Sequence, residues 1–114
     1  MIKKRRFPGP RPQRGVMNKL ESQYAVTLES MKQRGEILDY QFEAITFKLG
    51  HRCTYTPDFL VVFPDHFEIH EVKGHWREAA RVRIKVAASL YPWFRFVAVT
   101  ERKRGVFEYE EIAA

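Results

Sequence analysis

The chain has 114 residues, of which 45% are apolar and 14% aromatic; that suffices for one small globular core and leaves no room for two. No run approaches the ~20 uninterrupted apolar residues of a membrane-spanning helix, and Cys53, the only cysteine, excludes an intrachain disulfide or a thiolate metal cage. Lys and Arg outnumber Asp and Glu by 20 to 14, for a net charge of +6.

That excess sits at one end. Residues 1–14 contain Lys3, Lys4, Arg5, Arg6, Arg11 and Arg14 and no acid, so the remainder of the chain is neutral overall. Pro8, Pro10 and Pro12 forbid a continuous helix. The segment lacks the apolar stretch of a signal peptide. Residues 1–15 therefore read as a flexible basic arm and residues 16–114 as the folded domain. An arm of this charge density suits a polyanion; the plainer role is that of a solubilising tail.

Asn18, with Glu21 three residues on, predicts a capped helix start. Met17, Leu20, Tyr24, Leu28 and Met31 recur at helical spacing, and Gly35 can end the helix, giving a first helix over Met17–Arg34. The period then changes. Ile37–Phe42 and Ile45–Leu49 read as short strands and Tyr55–Phe63 as a third. Pro64, Asp65 and His66 supply turn chemistry. Phe67–Val72 alternates as a fourth strand, with Phe67, Ile69 and Glu71 on one face and Glu68, His70 and Val72 on the other. Tyr55–Phe63 and Phe67–Val72 thus form a hairpin.

Gly74 breaks the strand, and Trp76–Tyr91 reads as a second helix stopped by Pro92. Its expected core stripe is Ala79, Val82, Val86 and Leu90, widened by Ala80, Ile84 and Ala87. Arg95–Thr100 is apolar enough for a strand buried on both faces, and Val106–Ile112 is expected at a sheet edge. The order predicts an α/β domain with a mixed sheet flanked by helices.

The hairpin carries the chemistry. Asp58 follows Pro57 near the start of the first strand, and Glu71 and Lys73 end the second. Counting back from the turn places Asp58 beside Glu71 or Val72, and Glu71 and Lys73 share a face. Two acids and an ammonium in one patch can hold a hard divalent cation against a phosphate. Mg²⁺ takes oxygen ligands, commonly one or two carboxylates completed by water and substrate. Such a cation polarises a phosphoryl oxygen and makes water a better nucleophile. The Val72 carbonyl is a further candidate ligand. The plain alternative is turn chemistry at Asp58 and a surface ion pair between Glu71 and Lys73.

TPDFLVVF followed by HEVKGHW resembles the PD-(D/E)XK nuclease superfamily, with Pro57-Asp58 matching its first half and Glu71-Val72-Lys73 its second. Small phage-type nucleases, including the endonuclease I kind of Holliday-junction resolvase, are the nearest look-alikes. The resemblance implies a restriction-endonuclease-like core and Mg²⁺- or Mn²⁺-dependent hydrolysis of DNA to 5′-phosphate and 3′-hydroxyl ends. It implies Asp58 and Glu71 as metal ligands, Glu21 as a further ligand from the first helix, and Lys73 as the residue that positions the nucleophile or stabilises the transition state. Glu29, the rival to Glu21, reads as a solvated charge. A branched substrate and a homodimer are the narrower implications, with no small-molecule cofactor and no membrane partner. The expected location is the cytoplasm of a bacterium or a phage-infected cell.

Arg77, Arg81 and Lys85 recur every four residues and form a basic stripe, with Arg83 off it. Beside the hairpin end this stripe suits phosphates; alone it would be a solvated face. His70 reads as packing, His75 as a lesser phosphate contact, and Trp76 and Trp93 as core or helix-packing residues. Lys48, His51 and Arg52 are secondary nucleic-acid candidates. The alternatives to an enzyme are a non-catalytic nucleic-acid binding module or a phage structural protein that binds DNA. Retention of acids at the centre of a basic surface argues against a pure binder.

Overall fold

The computed structural model describes residues 15–113. Its elements are α1 (Lys19–Gln33), β1 (Asp39–Phe42), β2 (Phe47–Gly50), β3 (Cys53–Tyr55), β4 (Phe59–Val62), β5 (Phe67–Lys73), α2 (Glu78–Leu90), β6 (Arg95–Lys103) and β7 (Val106–Glu111). The six basic arm residues, Lys3 to Arg14, lie outside the described residues. Among those described, no helix is long and apolar enough to cross a membrane.

The first helix begins where its cap dictates. The Asn18 side chain accepts from the Glu21 N–H at 2.8 Å, and Glu21 Oε1 accepts from the Asn18 N–H at 2.9 Å. It ends on Gly35, whose φ of +78° is left-handed. The Gly35 N–H donates to Lys32 and the Glu36 N–H to Met31, the paired bonds of a Schellman motif.

Five strands form a mixed sheet in the order β1-β4-β5-β6-β7. Only β5 and β6 run parallel, joined through α2; the other neighbours are antiparallel. Strand alternation assigns the two faces. Phe59, Val61, Val72, Val97 and Val99 pack with Tyr24 and Leu28 of α1. Ile69, Phe96 and Ala98 pack with Ile84, Ala87 and Ala88 of α2. The separate β2–β3 ribbon lays Phe47 and Tyr55 onto the α2 side of this core.

Two expectations about the secondary-structure elements fail. Tyr55–Phe63 is not one strand: it breaks at Thr56–Asp58 into β3 and β4, which pair with different partners. Pro57 lacks an N–H and restricts Thr56, so the ladder cannot continue through it. The second error concerns α2. Val82 is 53% exposed, Val86 38% and Leu90 46%, so the expected core stripe faces solvent together with Ala79. The row expected only to widen it supplies the contact, with Ala88. Alanines let the helix approach the sheet closely, and Ile84 fills the remaining space against Ile69 and Phe96.

His70 packs as expected. It is 2% exposed, and its ring nitrogens lie 2.7 Å from Tyr24 Oη and 2.8 Å from Glu68 Oε1, tying β5 to α1.

Candidate metal and phosphate site

The β4–β5 register pairs Phe59 with His70, which sets Asp58 opposite Glu71 at the end of the hairpin away from its turn. The two acids clasp each other's strands. Glu71 Oε1 accepts the Asp58 N–H at 3.0 Å, and Asp58 Oδ2 accepts the Val72 N–H at 2.8 Å. Each carboxylate keeps a second oxygen outside this clasp. That of Glu71 lies 3.4 Å from Lys73 Nζ.

Both acids are only 7% exposed. Burial is the main influence on Asp58, followed by the Glu71 charge and opposed by the Val72 hydrogen bond; together with Glu21 these push its pKa up to about 8. Burial also raises that of Glu71, opposed by Lys73 and by the Asp58 N–H. Glu21 reaches this site from α1. Its charge and a hydrogen bond both act on Asp58, while its Oε1 still serves the helix cap. The structure thus gathers Asp58, Glu71, Lys73 and Glu21. Val72 stands among them, its N–H rather than its carbonyl being the group engaged with Asp58. Glu29 lies elsewhere on α1, accepting from Tyr40 Oη at 2.7 Å and from Gln33.

Two neighbours escaped the sequence reading. Tyr55 is 5% exposed, and its buried hydroxyl faces Glu71 outside ordinary hydrogen-bond geometry. Burial, then the charges of Glu71 and Asp58, hold that hydroxyl firmly protonated. Arg83 stands over its ring, with Cζ 6.0 Å from the centroid. The break at Pro57 was the available signal for Tyr55, since it detaches β3 and lets the ribbon fold over the acids. For Arg83 the signal was its place on the flank of the Ala80–Ile84–Ala87 row.

The basic stripe is divided. Arg77 and Lys85 are exposed, whereas Arg81 grips both oxygens of Glu110 at 2.9 and 2.8 Å and lies over the Trp76 ring. His75 is exposed in the turn before α2. Trp76 packs against the α2-side core, but Trp93 is 77% exposed and packs into nothing.

What the arrangement offers chemically is a set of hard oxygen donors, buried, mutually repelling and faced by one ammonium. Among the described residues, no group of three or more His, Cys, Asp or Glu is disposed to hold a metal ion, so the carboxylate pair is the core of the site. Comparison with family models, with curated proteins and with solved structures finds no match to this chain.

Proposed function

We propose that this chain is a metal-dependent nuclease that hydrolyses phosphodiester bonds in DNA, with the restriction-endonuclease-like core implied by its Pro57-Asp58 and Glu71-Val72-Lys73 motifs. One observation carries the reading: Asp58 and Glu71, 13 residues apart in sequence, are clasped together in a buried site where two carboxylates face one ammonium, that of Lys73. A dication relieves that repulsion, and Mg²⁺ or Mn²⁺ suits oxygen donors of this kind. The Tyr55 hydroxyl, kept protonated beside Glu71, adds a donor to the same site.

Asp58 and Glu71 would hold the cation, assisted by Glu21 and the Val72 carbonyl. When bound, it would neutralise phosphate charge and favour attack by water. Lys73, held by Glu71, directs an ammonium at the same space, where it can orient the nucleophile or meet charge developing on phosphorus. Arg77 and Lys85, with the arm residues Lys3, Lys4, Arg5, Arg6, Arg11 and Arg14, supply phosphate contacts away from the reacting bond. Arg81 joins them only by releasing Glu110. A branched substrate, a homodimer and a cytoplasmic setting complete the proposal.

Plasmid and synthetic four-way junctions, incubated with Mg²⁺ or Mn²⁺ and then with EDTA, test it. The expected result is cleavage that EDTA abolishes, with Asp58→Ala and Lys73→Ala binding DNA but failing to cut. Cleavage that survives Asp58→Ala refutes the assignment. The mutual clasp of the two acids, each bonded to the other's strand, favours a second reading in which the pair is structural and the chain is a nucleic-acid binding module without catalysis. That reading predicts binding of DNA with no cutting under any cation.

A further inference from the structure

The turn after α2 displays one aromatic ring to solvent. Tyr91 Oη donates to the Lys48 carbonyl at 2.6 Å, and Phe94 packs edge-on against Phe47 with centroids 5.5 Å apart. Trp93 lies between these two anchors. At 77% it is the most exposed large apolar side chain among the described residues. Its half-buried neighbours fix the backbone of this turn, so the ring is presented at a defined place on the surface.

Beside it lies an open depression of about 460 Å³ lined by Trp93, Leu90, Lys48, Gly50 and His51. Arg52 follows at the tip of the β2–β3 ribbon with a left-handed φ of 55°. Lys48, His51 and Arg52 make no ion pair with any described residue. Elsewhere on the surface Lys32, Arg34, Arg95 and Arg102 each face an acid, while Arg77 and Lys85, like the ribbon cations, do not. A flat aromatic face set among uncompensated cations matches a ligand that is itself a flat ring joined to phosphates.

We infer that Trp93, with Leu90, His51 and the ribbon cations Lys48 and Arg52, is a stacking platform for an unpaired nucleobase. The inference rests on the nucleic-acid part of the function proposed above and not on cleavage. Continuous duplex turns its base faces inward onto one another, so only a flap, a gap, a loop or a single strand can offer one to Trp93. An apolar protein surface would strand the two cations, Lys48 and Arg52, against it. The preferred substrate is therefore DNA with unpaired nucleotides.

The test is a titration of the full chain in EDTA, following tryptophan emission. Trp76→Phe leaves Trp93 as the sole reporter, and a difference spectrum between the parent and Trp93→Phe gives the same signal should Trp76→Phe fold poorly. The probes are a 12-nucleotide oligothymidylate, a closed dumbbell duplex without free ends, and poly-glutamate. The oligothymidylate is expected to quench Trp93 at concentrations where the other two do not. Trp93→Ala is expected to weaken its binding about tenfold or more, with dumbbell affinity changed less than twofold and Trp93→Phe restoring most of the loss. Equal quenching by the dumbbell or by poly-glutamate, or equal weakening of both nucleic acids in Trp93→Ala, overturns the inference. So does a Trp93 emission change that follows protein concentration alone, which would assign the ring to contact between copies of this chain. Cation-free binding is read throughout, so failure of the cleavage assay leaves this result intact, and the converse also holds.

Discussion

Replacing Asp58 with Asn removes one of two buried negative charges while keeping an oxygen for the Val72 N–H, which Asp58 Oδ2 accepts at 2.8 Å. The acid is 7% exposed, has the Glu71 carboxylate as its nearest charge, and has its pKa raised from 3.8 to about 8, first by burial and then by Glu71. A group whose pKa is higher folded than unfolded stabilises the fold below its unfolded value and loses that contribution as pH rises through the folded one. For Asp58 this window runs from about pH 4 to about pH 8. Each unit corresponds to ~1.4 kcal/mol, and the proton is shared with Glu71, so the relief at pH 7–8 is put at roughly 1–3 kcal/mol. In a domain of this size that is a rise in melting temperature of roughly 4–12 °C. Metal-free protein is melted in EDTA from pH 4 to 8.5, parent against variant. The variant should gain stability as pH rises and match the parent near pH 4. Saturating Mg²⁺ or Mn²⁺ should raise the parent's melting temperature and leave the variant's unchanged, because a cation bound only by the folded state stabilises it by mass action. A variant less stable than the parent at every pH, or a difference that ignores pH, refutes the account of the site.

Further outcomes follow from the same geometry. Lys73→Ala should reduce cleavage at least a hundredfold by turnover assay while retaining the cation-induced rise in melting temperature, because Lys73 is 40% exposed and the carboxylates remain. His70→Ala should destabilise the fold by about 2–4 kcal/mol in urea unfolding, since it leaves the Tyr24 hydroxyl only its long 3.5 Å bond to Tyr109 and takes from Glu68 one of its two histidine partners. Ile84→Ala should lose about 2–4 kcal/mol, whereas Val86→Ser should shift stability by less than about 0.5 kcal/mol. Equal losses at the two positions would mean that α2 is rotated from the orientation described.

Much of the site was legible in the chain. Pro57-Asp58 and Glu71-Val72-Lys73 flank a turn signal, and an antiparallel hairpin admits only a narrow range of registers between them, so the meeting of Asp58 with Glu71 followed from counting. The Asn18–Glu21 capping box was equally local, and it placed Glu21 at the start of α1. Strand alternation separated His70 from Glu71 without knowledge of what lay on either face.

Other features depended on surfaces distant in sequence. The second helix carries two apolar rows, and its period states which residues share a row but not which row meets the sheet. The fold buried the alanine-rich row, because it permits close approach to Ile69, Phe96 and Ala98, and left Val82, Val86 and Leu90 outside. The same rotation carried Arg83 over Tyr55 and engaged Arg81 with Glu110. Trp93 was expected in the core or against a helix, yet Tyr91 and Phe94 on either side pack onto Phe47 and Trp93 is left outside. Local order is set by backbone sterics and by neighbours a few residues away, which the chain alone contains. The choice between two competing apolar faces is made by shape complementarity with another element, and that exists only once the layers are assembled.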